Sequence, residues 1–142
     1  MKYFDQKARR FIADYTKANY EQISVEPGEC RFNLMCHMNA VHEAIDDNEK
    51  EIALCIYFIK CYKPNQIQPI IHFVNVTETE ALRYGYYTDN TIGHFCVNYK
   101  YYIVRYIDKA DFMNIDNVFA NFRKELRSKL PWWLRLLSKV NF

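Results

Sequence analysis

The chain reads as an α+β fold, with N-terminal helices packed on a mostly antiparallel sheet and further helices closing the C-terminal end. Three observations carry this expectation. The hydrophobic periodicity begins helical, turns strand-like through the middle and returns to helical. Aromatic residues make up 17% of the chain, with twelve Tyr and ten Phe, and broad rings suit a pleated, half-buried surface. Only three Gly and four Pro are present, which argues against long flexible linkers. Half of the 142 residues are hydrophobic, enough for one domain over residues 1–142 with its own core. Residues 129–142 read as an amphipathic helical appendage to it.

Residues 3–18 are expected to be helical, because Phe4, Ala8, Phe11, Ile12 and Tyr15 recur at spacings of three and four. Pro27-Gly28 is turn punctuation, and an ordered loop runs from it to Met35. A second helix spans about Cys36 to Asp46, with Met38, Val41, Ala44 and Ile45 as its apolar stripe. Ala40 and Ala44 are small enough for close packing. Ile52 to Ile59 is nearly continuous apolar and suits a buried central strand. Lys63 to Gln66 is a loop, Ile70 to Val76 a strand, Thr77 to Ala81 a connector and Arg83 to Thr88 another strand. Phe95 to Ile107 contains a further strand or a hairpin. Asp116 to Lys129 is helical, with Asp116 as its N-cap and Val118, Phe119, Phe122 and Leu126 as its stripe. Pro131 interrupts, and a short last helix follows.

Charge and cysteine usage narrow the function classes. The net charge of +2 is too small to predict nucleic-acid binding, and no nucleic-acid motif is present. Residues 43–51 carry five acids against one lysine, whereas residues 117–142 carry six Arg or Lys against one Glu. The basic end includes Trp132, Trp133, Leu136, Leu137 and Val140, which can share one helical face with Arg135, Ser138 and Lys139 opposite. Such a helix covers its own core or docks on a membrane surface or a protein. Five cysteines cannot all pair within one chain, and Met1-Lys-Tyr-Phe-Asp has no apolar signal region, so a reducing cytoplasm is the expected setting. No apolar run approaches the length of a membrane span.

The chemistry-bearing residues fall in a particular order. Cys36 stands where a loop turns into a helix, and a thiolate is favoured by the positive end of a helix and by a nearby imidazolium. His72 lies in mid-strand, in Ile70-Ile-His-Phe-Val-Asn-Val76, with alternation placing Ile70, His72 and Val74 on one side and Ile71, Phe73 and Asn75 on the other. Asp89 ends the next strand-like segment and can hold an imidazole in one tautomer. His94, shortly after Gly93, is an alternative base. Taken singly, Cys36 reads as a small buried hydrophobe, His72 as a hydrogen-bonded strand histidine and Asp89 as turn chemistry.

In order, Cys36-His-Met-Asn-Ala, His72-Phe-Val-Asn-Val and Tyr87-Thr-Asp89-Asn-Thr resemble the three core segments of the transglutaminase-like branch of the papain-like cysteine superfamily. The resemblance covers about residues 34–93. It implies a papain-like core and a Cys36–His72–Asp89 triad that acts on an amide or ester in a protein, a peptide or a small molecule, through an acyl-enzyme and without a cofactor. The sequence departs from that pattern at three points. Asn90 stands in place of a proline, His37 and Phe73 stand where a tryptophan is common, and Cys30 stands six residues before Cys36, near where papain-like proteases carry an oxyanion-hole glutamine. Asn33 and Asn39 are the side chains that could replace that donor beside the backbone N–H of Cys36.

Two other readings compete. Cys30, Cys36, His37 and His42 lie within thirteen residues, which raises zinc. The five-residue gap between the cysteines is wide for a structural site, however, and histidines five apart on a helix point about 140° apart. No metal is therefore expected. Cys55, Cys61 and Cys96 read as buried thiols. The alternative from a different class is a non-enzymatic binding protein that uses its aromatic surface and basic C-terminal helix.

Overall fold

A computed structural model describes residues 3–47, 50–60, 66–77 and 86–142. Among these residues, four α-helices, α1 (Tyr3–Asn19), α2 (Cys36–Asp46), α3 (Ile115–Lys129) and α4 (Trp132–Leu137), accompany six strands. The strands are β1 (Glu21–Ile23), β2 (Val25–Pro27), β3 (Lys50–Lys60), β4 (Ile67–Thr77), β5 (Tyr86–Asp89) and β6 (Tyr101–Ile107). They form one sheet in the order β1-β6-β3-β4-β5-β2. Every pairing is antiparallel except β2 with β5. Fold class is therefore α+β with a mixed, mostly antiparallel sheet.

The long apolar run of β3 is explained by its central place, paired to β4 on one edge and β6 on the other. Both of its faces are covered. Ile52, Leu54 and Ile56 join Ile71 and Phe73 under the helices, meeting Ala8 and Ile12 of α1, Ala40 and Ala44 of α2, and Phe122 and Leu126 of α3. Ala53, Cys55 and Tyr57 join Val74, Val76 and Tyr101 on the opposite face, beneath Val25 and Cys96. A strand with two dry faces has no position for an alternating polar residue.

A bulge in β6 redirects its side chains. Leu54 faces Arg105, but Cys55 faces Ile103, so Val104 is the extra residue. Strict alternation would put Tyr101, Ile103 and Ile107 on one face. With the bulge, Ile107 packs under the helices while Tyr101 and Ile103 pack on the other side, the re-aiming that bulges provide.

Several expected elements are corrected. Residues 21–27, read as no element, supply two edge strands. Residues 93–98 form a 3₁₀ helix, so the strand expected somewhere in Phe95–Ile107 is only Tyr101–Ile107. The N-cap of α3 is Asn114, and Asp116 lies inside the first turn. The buried face of α2 is Asn39, Ala40 and Ala44, leaving Ile45 exposed. The last helix buries Leu134, with Val140 and Phe142 after it, while Trp132, Leu136 and Leu137 stay exposed and Ser138 is buried. The loop at 63–65, residues 78–85 of the expected connector and strand, and Cys61 lie outside the described residues. Among the described residues, no helix is long and apolar enough to cross a membrane.

β2 adds at the edge through Pro27 opposite Asp89, and the N–H of Gly28 donates to the Asp89 carbonyl at 2.8 Å. A Cβ on Gly28 would lie 2.0 Å from Asn90 Oδ1 and 3.1 Å from the Asp89 carbonyl oxygen. Gly28→Ala should therefore lower the unfolding free energy by about 1–3 kcal/mol, the usual cost of overpacking. Urea denaturation of Gly28→Ala, Asn90→Ala and the double variant checks this. Losing the Asn90 side chain should cost less in the Gly28→Ala background than alone.

Candidate active site

The end of β5 creates the site. Its register with β4 runs Thr77 opposite Tyr86 to Asn75 opposite Thr88, so one further step sets Asp89 across from Val74. Cross-strand partners share a face, and so do residues two apart on one strand. Asp89 and His72 are thus diagonal neighbours on one face. Where β5 stops, the turn at Thr91 and Ile92 and the first turn of α2 border a cleft at this edge of β4. About 380 Å³ of cleft is lined there by residues that include Cys36, His72, Tyr57, Ile70, Thr91 and Phe119.

Asp89 is fully buried and accepts four hydrogen bonds. Oδ1 takes the N–H groups of Thr91 at 2.8 Å and Ile92 at 3.0 Å. Oδ2 takes the Tyr101 hydroxyl at 2.7 Å and His72 Nε2 at 2.8 Å. Burial opposes its charge, but the bond and charge of His72, the Tyr101 hydroxyl and the Ile92 N–H outweigh it and hold the carboxyl below its usual range.

His72 is 3% exposed. The ring of Tyr57 meets it edge-on, with centroids 5.2 Å apart. With Nε2 on Asp89, Nδ1 is the nitrogen left for a second partner, and the Cys36 side chain lines the same cleft as this imidazole. Burial disfavours the imidazolium, yet the hydrogen bonds to Asp89 and Cys36 and the charge of Asp89 prevail, and the pKa rises to about 9. Of the three residues singled out in the sequence, the buried imidazole and buried carboxylate are bonded directly, and the half-buried thiol lines the same cleft as the imidazole.

Two buried amide networks hold the pieces in place. Asn39 Oδ1 accepts the N–H groups of Arg31 at 3.1 Å and Phe32 at 2.8 Å, and its Nδ2 donates to the Phe32 carbonyl at 2.7 Å and Thr91 Oγ1 at 3.1 Å. The loop before Cys36, the helix after it and the turn that binds Asp89 are tied by this one side chain. Asn75 Nδ2 donates to the Ala40 carbonyl of α2 at 2.9 Å, and its Oδ1 accepts Asn90 Nδ2 at 2.7 Å. Asn90 joins β5 to β4 in this way. The signal for both was in the sequence as asparagines one helical turn after Cys36 and beside His72 and Asp89.

Other expectations are displaced. The amide of Asn39 is committed on both ends, so it is a clamp and not an oxyanion donor. Asn33 is exposed in the turn before Leu34 and does not line the cleft. His94 is exposed on the 3₁₀ helix, away from the cleft, and cannot replace His72. The four residues considered for zinc diverge: Cys30 is exposed, His37 Nε2 lies 3.4 Å from Asp116 Oδ1, His42 packs at a tilt against Phe32 and Cys36 lines the cleft. Among the described residues, no three His, Cys, Asp or Glu side chains gather as a metal set. Leu34, two residues before Cys36, holds a left-handed backbone at φ 58° while 82% exposed, and it lines the cleft. A leucine there carries strain of about 1–2 kcal/mol that glycine would not.

Comparisons with protein-family models, with curated proteins and with solved structures found no match.

The raised pKa of His72 has a sign that can be tested. A group whose pKa is higher folded than unfolded adds stability below its unfolded value, near 6.5, and loses it as pH rises toward the folded value of about 9. Wild-type stability should thus fall relative to His72→Gln across pH 6.5–9, by at most about 1.4 kcal/mol per pH unit for one proton. Urea unfolding of both proteins across that window checks it, the difference removing contributions from other groups.

Proposed function

We propose that this chain is a cysteine-dependent hydrolase or acyltransferase with a papain-like or transglutaminase-like core, acting on an amide or ester. The observation that carries this reading is His72 bonded through one ring nitrogen to a buried carboxylate, at a cleft that the Cys36 thiol also lines. That arrangement fixes the tautomer, orients the ring and gives the thiol proton a destination.

The chemistry follows from these roles. Cys36 passes its proton to His72, whose charge is stabilised by Asp89, and the thiolate attacks the substrate carbonyl carbon. The oxyanion that forms meets the first-turn N–H groups of α2. Met35, the N-cap residue, provides no side-chain cap for them, and the first N–H groups of any helix lack intrahelical acceptors. His72 then protonates the leaving amine or alcohol as the carbon–heteroatom bond breaks, leaving a thioester on Cys36. Water or an amine attacks that thioester, gives its proton to His72 and releases the acyl group. Hydrolysis and transfer differ only in which nucleophile arrives. Tyr101 acts on the reaction through Asp89, as a positioning residue.

Alkylation with iodoacetamide, read by peptide mass spectrometry, tests the proposal. Cys30 is the internal control, as an exposed thiol. Cys36 should react at least about tenfold faster than Cys30, and the excess should vanish in His72→Ala, since a positioned base commonly contributes 10²-fold or more. Incubation with p-nitrophenyl acetate should leave one acetyl group on Cys36. Equal rates for Cys36 and Cys30, unaltered by His72→Ala, would overturn the assignment.

A further inference from the structure

We infer that α4 and its flanks form a docking surface for an anionic phospholipid membrane. The inference stands on the C-terminal end of the molecule and is independent of the cleft chemistry. Trp132 is 68% exposed, Leu136 75% and Leu137 52%. At about 100° per residue, Trp132 and Leu136 fall on one stripe, with Arg135 about 60° from Trp132 on one flank and Leu137 about 100° beyond Leu136 on the other. A single exposed leucine means little, but adjacent large apolar side chains on one element form a patch.

The element bearing this patch is anchored firmly. Leu134, Val140 and Phe142 are buried in the helical core. The Arg127 guanidinium donates to the carbonyls of Arg135 at 2.8 Å, Ser138 at 2.9 Å and Val140 at 3.0 Å. The Lys139 N–H donates to Asp5 Oδ1 at 2.8 Å, fixing α4 against the start of α1. The exposed Trp132 ring and the two leucines are therefore carried on an element that the fold holds in place.

Charge selects the occupant. Residues 127–142 hold four Arg or Lys and no acid. Arg127 meets carbonyl oxygens, which leave its charge uncancelled. Lys7 of α1 adds a cation, its Nζ 5.7 Å from the Trp133 ring centroid and 4.6 Å from that of Tyr3, which is 62% exposed. Tryptophan and leucine ringed by lysine and arginine suit a lipid interface, where rings sit at headgroup depth and cations meet anionic headgroups. A second copy of the chain would bring the same positive charge to the same patch.

The two tryptophans of the chain are Trp132 and Trp133, so selectively excited tryptophan emission reports on this segment alone. With the full chain, vesicles of phosphatidylcholine containing phosphatidylserine should shift the emission to the blue and pull the protein down on sedimentation. Pure phosphatidylcholine vesicles should do so far less. Arg135→Glu with Lys139→Glu should weaken binding at least about tenfold, and Leu136→Asp with Leu137→Asp should abolish it while leaving the far-ultraviolet circular dichroism unchanged. Three results would overturn the inference: no binding to the anionic vesicles, full binding by the Leu136→Asp/Leu137→Asp protein, or a concentration-dependent blue shift without vesicles, which would mark self-association.

Discussion

Everything at the candidate site depends on the buried charge of Asp89. A carboxylate without solvent is costly unless its lone pairs are met, and here each oxygen receives two donors, the four coming from three parts of the chain. The two backbone donors come from the turn that follows β5. The tyrosine comes from β6, beyond β3 and β4 in the sheet order. The imidazole comes from β4. The carboxylate can stay charged only where those three elements are in place, and where it stays charged it favours protonated His72.

That dependence gives meaning to features that otherwise look incidental. The bulge at Val104 is the reason Tyr101 shares a face with His72 rather than lying under the helices. Gly28 lets the edge strand β2 close against Asp89 and Asn90, and Asn90 in turn steadies Asn75, which grips the α2 carbonyl of Ala40. Asn39 spans the loop before Cys36 and the turn that binds Asp89. The thiol-bearing helix and the imidazole-bearing strand are therefore coupled through two buried amides, so their relative position is set by directional bonds as well as by apolar packing.

A large part of this was legible in the chain. Continuous apolar residues marked β3 as central, and alternation placed His72 and Asn75 on opposite faces of β4, as found. The helix starting at Cys36 followed from the small, regularly spaced residues after it. Where reading failed, the cause was physical. The stripe of α2 was misplaced because Asn39 looks polar, yet burial of a fully bonded amide is permitted, and this rotated the buried face away from Ile45. Phe95 and Val97 have strand-like composition yet lie on the 3₁₀ helix at residues 93–98, where both are exposed. Edge strands of three residues carry too short a pattern to read.

The sequence by itself determined the order of elements through the middle of the chain, the strand face of His72 and the candidacy of Cys36, His72 and Asp89, because each of these depends on local spacing and residue type. Only the tertiary structure decided that Asp89 bonds His72 beside the cleft Cys36 lines, that Tyr101 completes the carboxylate's bonds, that Asn39 clamps instead of donating into the cleft, and which side of α4 faces outward. Those outcomes depend on strand register, on one inserted residue in β6 and on competition among large side chains for limited buried space. None of these is encoded within a single segment.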